Sequence, residues 1–182
     1  MNPAPNLFLI GPMGAGKTTI GKRIADQLQL PFHDLDQVIE AQTGVAIPLI
    51  FELEGEAGFR RRECAALAEY SALAGVVLAT GGGAVLDAQN RARLAARGFV
   101  VYLETAVDVQ LARLARDRKR PLLAAPDRRE RLEQMAAIRN PLYAGTADMT
   151  IRSEHEHAAQ VAADLYERLQ RVWRRAPAPA AA

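Results

Sequence analysis

Gly11-Pro12-Met13-Gly14-Ala15-Gly16-Lys17-Thr18 lies between the apolar run Leu7-Phe8-Leu9-Ile10 and a segment in which Ile20, Ile24 and Leu28 recur every four residues. The run suits a buried parallel strand and the recurrence one face of a helix, so the order is strand, glycine loop, helix. The loop meets G-x-x-x-x-G-K-[ST] at every specified position. Glycines let successive N–H groups curl toward phosphate oxygens, and the helix opening near Lys17 adds its positive end. In such a loop Gly14, Ala15 and Gly16 offer main-chain donors, Lys17 a charge for the β- and γ-phosphates, and the Thr18 hydroxyl a ligand for Mg²⁺.

Outward from the loop, strands alternate with helices. Pro31 to Asp34, Val76 to Thr80, Phe99 to Glu104 and Met149 to Arg152 read as further strands. Helices are expected around Val38-Ile39, over 47–74 with a turn near Gly55, over 87–97 with Gly98 as C-terminal cap, and along the Val107/Leu111/Leu114 stripe. Two more are expected over 128–139, ending before Asn140-Pro141, and from His155 to Val172. This alternation predicts a three-layer α/β/α fold on a five-stranded parallel sheet, with ligands at the carboxyl ends of the strands. The charged, proline-punctuated stretch RDRKRPLLAAPD is expected to be a mobile lid at about 112–126. The Pro/Ala-rich residues 176–182 are expected to be a disordered tail after a single domain over 1–175.

The chain has 182 residues, 23 Lys and Arg against 21 Asp and Glu, and a formal charge of +2. No global field draws in nucleic acid or anionic lipid, so neither is an expected partner. No apolar run approaches the roughly 20 residues that span a bilayer, and a single cysteine, Cys64, excludes an intramolecular disulfide. A cytoplasmic protein is the expectation, with Cys64 a small buried or half-buried side chain.

A nucleotide loop serves GTPases, ATPases and metabolite kinases alike. No N-K-x-D segment is present to read guanine, and the Val76–Thr80 strand ends in Gly81 where an acid would usually back the metal. Asp34-Leu35-Asp36 is the best-placed carboxylate supply. Alternation at a strand end would turn both acids one way, Asp34 holding Mg²⁺ through water and Asp36 accepting from a substrate hydroxyl, unless one of them caps the next helix. Gly81-Gly82-Gly83 suggests a ligand approaching the backbone, although a loose turn would also explain it. Phe59-Arg60-Arg61-Arg62-Glu63 and Arg139 supply guanidinium forks that could grip a carboxylate, or simply face water.

In order, GPMGAGKTT (11–19), FHDLD (32–36), GEAGFRRRE (55–63), TGGGAV (80–85), RDRKRPLL (116–123) and RNPLY (139–143) resemble the motif set of the shikimate kinases over roughly residues 7 to 170. The resemblance implies a nucleoside-monophosphate-kinase-like fold and transfer of phosphate from MgATP to the 3-hydroxyl of shikimate, in a monomer. It also implies substrate contacts from Asp36, Arg60, Gly82, Gly83 and Arg139, and a metal site at Thr18 with Asp34 acting through water. Nucleotide contacts would come from residues 14–19, Thr19 included, with Arg113 on adenine and Arg120 closing over the phosphates. Lys17, Asp36 and Arg120 would carry the chemistry. A gluconate or nucleotide kinase of the same architecture, or a kinase-shaped domain that only binds a ligand, remain the alternatives.

Overall fold

The computed structural model describes residues 4–115, 127–153 and 157–174. Five strands, β1 (Asn6–Ile10), β2 (Phe32–Asp34), β3 (Val77–Ala79), β4 (Gly98–Glu104) and β5 (Met149–Arg152), form one parallel sheet in the order β2-β3-β1-β4-β5. The period-two alternation of a strand splits β1 between two cores. Leu7 and Leu9 pack with Val77, Val101 and Leu103 beneath α1 (Lys17–Leu28) and α7 (Ala158–Val172). Phe8 and Ile10 pack with Leu78, Val100 and Tyr102 beneath α2 (Leu35–Thr43), α3 (Ile47–Tyr70), α4 (Ala88–Arg97) and α6 (Arg128–Thr146). Sheet plus two helical layers is the expected α/β/α sandwich. The short α5 (Val107–Leu114) docks on α6 through Leu114 and Leu132.

Register aligns the functional loops. Leu9 of β1 and Asp34 of β2 both pair with Ala79 of β3, so the loops after Ile10, Asp34 and Thr80 leave the sheet along one edge. β1 lies between β3 and β4, where successive connections run to opposite sides, and such a reversal opens a crevice at the carboxyl ends.

Several element ends differ from the sequence-based expectation. α3 ends at Tyr70 rather than near residue 74, because the buried Asn6 side chain captures the backbone that follows. Its Nδ2 donates to the carbonyls of Ser71 and Leu73, and its Oδ1 accepts from Gly75 and Val76. The turn near Gly55 is present, with φ of 67° interrupting the helix. α6 does not stop before Asn140-Pro141 but runs through Pro141 to Thr146. An interior proline costs about 3 kcal/mol, which the last turns offset by burying Tyr143 completely and stacking it on Tyr102 at 5.0 Å. α7 begins at Ala158 after His157, and the expected start at His155 lies outside the described residues, as do residues 116–126 of the lid and the tail.

Gly98 does follow the last turn of α4, but in extended conformation (φ −155°), opening β4 at once. A left-handed cap is therefore not why glycine stands there. A Cβ at this position would overlap the ring of Phe8, which is fully buried. Gly98→Ala is expected to lower stability by about 1–3 kcal/mol through overpacking, read from the midpoint of urea unfolding.

Candidate active site

The loop after β1 is built as its glycines require. Gly14 and Gly16 take φ of 77° and 88°, a region unfavourable to side chains, and Gly16 is the N-cap of α1. The first bond within α1 runs from the Ile20 amide to the Gly16 carbonyl at 2.8 Å, so the amides of the opening turn face out of its N-terminus. The Lys17 ammonium lies over the loop, donating to the carbonyls of Gly11 and Pro12 at 2.8 Å each. Thr19 is exposed in the same turn, whereas the Ala15 methyl is packed in the core, leaving only its backbone for a ligand. From behind, the buried Ser153 hydroxyl donates to the Ala15 carbonyl at 3.1 Å. Arg113 donates to the Gly14 carbonyl at 2.9 Å and to Ser153 at 3.2 Å.

A cavity of about 570 Å³ opens beside this loop. Thr18, Asp34, Asp36, Arg60, Gly82, Gly83 and Arg139 all line it, so the structure gathers onto one wall system residues that sequence reading selected from distant segments. Arg120 lies outside the described residues.

The two acids have separate local roles. Asp34 is the last residue of β2 and caps α2, its Oδ1 accepting from the Asp36 amide at 3.0 Å while Oδ2 accepts from the Thr18 hydroxyl at 2.5 Å. Asp36 therefore does not continue a strand, as the alternation argument supposed, but sits in the first turn of α2. Both still reach the cavity, because the helix starts at its rim. Thr18 and Asp34 together make a hydroxyl–carboxylate pair of hard oxygens, suited to Mg²⁺ held largely by phosphate and water. Among the described residues no cluster of three or more His, Cys, Asp or Glu side chains suits a metal cage.

Arg60 and Arg139, which also line the cavity, share a neighbour that sequence reading missed. Glu63 is buried, accepts from Arg60 at 2.7 Å and lies within the field of Arg139. Burial pushes its carboxyl above the usual range, against the pull of Arg60. The signal was present as the three-residue spacing from Arg60 to Glu63 on one helix. Arg60 also pairs with Glu56 at 2.9 Å and its guanidinium lies 5.3 Å from the Phe59 ring centroid. These contacts explain two glycines as close-packed backbone. A Cβ on Gly83 would overlap the Arg60 guanidinium, and one on Gly81 would overlap Glu63 and stand 3.1 Å from Asp36 Oδ1. Gly82 is different, since its nearest neighbours would stand 3.5 Å away.

The cavity is thus lined by charge, two guanidinium groups with the Glu63 carboxylate in the field of both, and Asp34 and Asp36 beside the phosphate loop. It can orient a small molecule carrying a carboxylate and a hydroxyl. The family model for shikimate kinase matches residues 13–170. The chain belongs to the shikimate kinase family. It is 53% identical over 180 residues to a shikimate kinase of Xanthomonas campestris, spanning 99% of this chain and 100% of the relative. It is 54% identical over 175 residues to one of Stenotrophomonas maltophilia, spanning 96% and 97%. A shikimate kinase from Acinetobacter baumannii, solved in complex with shikimate, matches with a TM-score of 0.90 at 46% identity, over 92% of this chain and 94% of that one.

Elsewhere in this shikimate kinase family chain, Cys64 is half-buried as expected, its thiol pushed up by burial while Asn90 donates to its sulfur at 3.3 Å. Among the described residues no helix is long and apolar enough to cross a membrane.

Proposed function

We propose that the protein transfers the γ-phosphoryl group of ATP to the 3-hydroxyl of shikimate, releasing ADP and shikimate 3-phosphate. The observation that carries this reading is the continuity of the cavity. One space joins the phosphate loop at Thr18 and Asp34 to a carboxylate grip at Arg60 and Arg139, with Asp36 on the same lining.

Phosphoryl transfer passes through a loose transition state, so alignment and charge neutralisation dominate over covalent chemistry. The backbone of residues 14–16 and the opening turn of α1, Thr18 and Thr19 included, cradle the triphosphate, with Lys17 on its β- and γ-phosphates. Mg²⁺, when bound, neutralises developing charge on the phosphates, and Thr18 with Asp34, acting through water, would hold it. Arg113 borders the adenine side, tethered to the loop through Gly14. Arg120, on the resemblance of its motif, closes over the phosphates. Arg60, Arg139 and the Gly82–Gly83 backbone receive the carboxylate end of the acceptor. Asp36 accepts from its hydroxyl and takes up the proton as the oxygen bonds to phosphorus. A monomer is the expected functional unit on the family resemblance, and a reducing cytoplasm suits its single half-buried thiol.

The test is a coupled ADP-release assay with MgATP and, in turn, shikimate, gluconate and nucleoside monophosphates. ADP release that depends on shikimate is expected, and release driven by another acceptor, or by none, overturns the reading. Arg139→Ala is expected to raise KM for shikimate roughly 10- to 150-fold, the loss of a charge-assisted contact, with KM for ATP within about two-fold. Equal losses for both ligands would count against a carboxylate grip.

A further inference from the structure

The hydroxyl of Tyr143 lies where two of the acceptor-side groups meet. It donates to the Gly82 carbonyl and lies within the field of the Arg139 guanidinium, one turn earlier on α6. The side chain is fully buried and its ring stacks on Tyr102 at 5.0 Å and 27°. Nothing in the phosphoryl-transfer mechanism uses it. Its neighbours are nonetheless the two elements that would receive the acceptor's carboxylate, one on α6 and the other on the loop after β3.

The peptide plane turns this contact into a constraint. The Gly82–Gly83 unit is planar and trans, so its carbonyl and its amide point in opposite directions. With the carbonyl held by Tyr143, the Gly83 amide points away from Tyr143, and among the described residues it has no acceptor. Gly83 lines the cavity. Glycines on both sides of that unit leave its rotation unrestrained by side chains, and Gly82 in particular is not crowded by its neighbours. The turn closed by the Ala84 amide on the Gly81 carbonyl holds the ends of that unit, and the Tyr143 hydroxyl bond on its carbonyl favours one orientation within it.

We propose that Tyr143 is a positioning residue for the acceptor: its hydroxyl bridges α6 to the Gly82 carbonyl, and so aims the Gly83 amide at the substrate carboxylate beside the Arg139 guanidinium. This deepens the reading above and rests on it. Burial lifts the phenol far above its ordinary range, so the hydroxyl keeps its proton, and its ability to donate, at all working pH values.

The experiment compares Tyr143→Phe, Tyr102→Phe and Arg139→Ala with the wild-type enzyme. It measures kcat, KM for shikimate, KM for ATP and the thermal unfolding midpoint with and without shikimate, all assays being run at 10 °C. Tyr143→Phe keeps the ring and its stack. It is expected to raise KM for shikimate roughly 5- to 30-fold, with kcat and KM for ATP within about two-fold and a smaller shikimate-induced shift in the midpoint. Tyr102→Phe keeps the bridge and is expected to leave KM for shikimate within about two-fold. An unchanged KM in Tyr143→Phe, with or without a lower midpoint, overturns the proposal if Arg139→Ala still raises KM. An equal rise in Tyr102→Phe overturns it too, since that variant leaves the bridge intact and removes only the hydroxyl bonded to Asn140. If Arg139→Ala also leaves KM unchanged, the carboxylate grip itself falls and the bridge falls with it.

Discussion

Lys17→Met is expected to lower kcat on the order of 10³-fold or more, with the folded state intact. The ammonium is held over the loop by the carbonyls of Gly11 and Pro12, each at 2.8 Å, and in the proposed mechanism it meets the phosphate oxygens. Charge accumulates on those oxygens as the phosphoryl group transfers, and a fixed cation there stabilises the transition state more than the ground state. A 10³-fold loss corresponds to about 4 kcal/mol of barrier. Methionine keeps most of the stem's volume, so the change isolates the charge. Single-turnover kinetics at saturating ATP would measure it, and near-normal turnover would remove the loop from the chemistry.

Asp36→Asn is the second large effect, about 10²- to 10⁴-fold in kcat, the range for loss of a positioned proton acceptor. Asparagine retains the shape and one acceptor oxygen but cannot take the proton. Because Asp36 lies in the first turn of α2 while Asp34 supplies the cap, the substitution leaves the helix start in place. The same reasoning predicts that KM for ATP moves little, since the Thr18–Asp34 contact is untouched. Turnover within about ten-fold of wild type would show that the proton leaves by another route and reduce Asp36 to a binding contact.

How far the chain could be read in advance depended on the range of the interaction concerned. The loop at 11–18 was legible because its conformation is local, with glycine at the positive-φ positions 14 and 16 and lysine and threonine at fixed offsets. The layers were legible because β1 alternates between two cores. Element ends were less so. α6 passes through Pro141 because Tyr143 finds a buried stack on Tyr102, a contact 41 residues away that no local rule anticipates. α3 stops early because Asn6, a strand residue, binds the backbone of 71–76. Glu63 and Tyr143 both sat inside motifs read from the sequence. Their roles stayed hidden because burial and partner choice are not properties of spacing.

By itself the sequence determined the phosphate loop, the alternation of strand and helix, and the family to which the chain belongs, since each rests on residue type at short, fixed intervals. Only the tertiary structure decided that Arg60 on α3 and Arg139 on α6 face one cavity, that Asp34 caps a helix while Asp36 sits in that helix's first turn, and that a tyrosine of α6 holds the carbonyl of a glycine loop. Those outcomes come from the parallel register that brings three loop exits to one edge and from packing that buries polar groups against specific partners. Both are long-range conditions, which the chain satisfies only when folded.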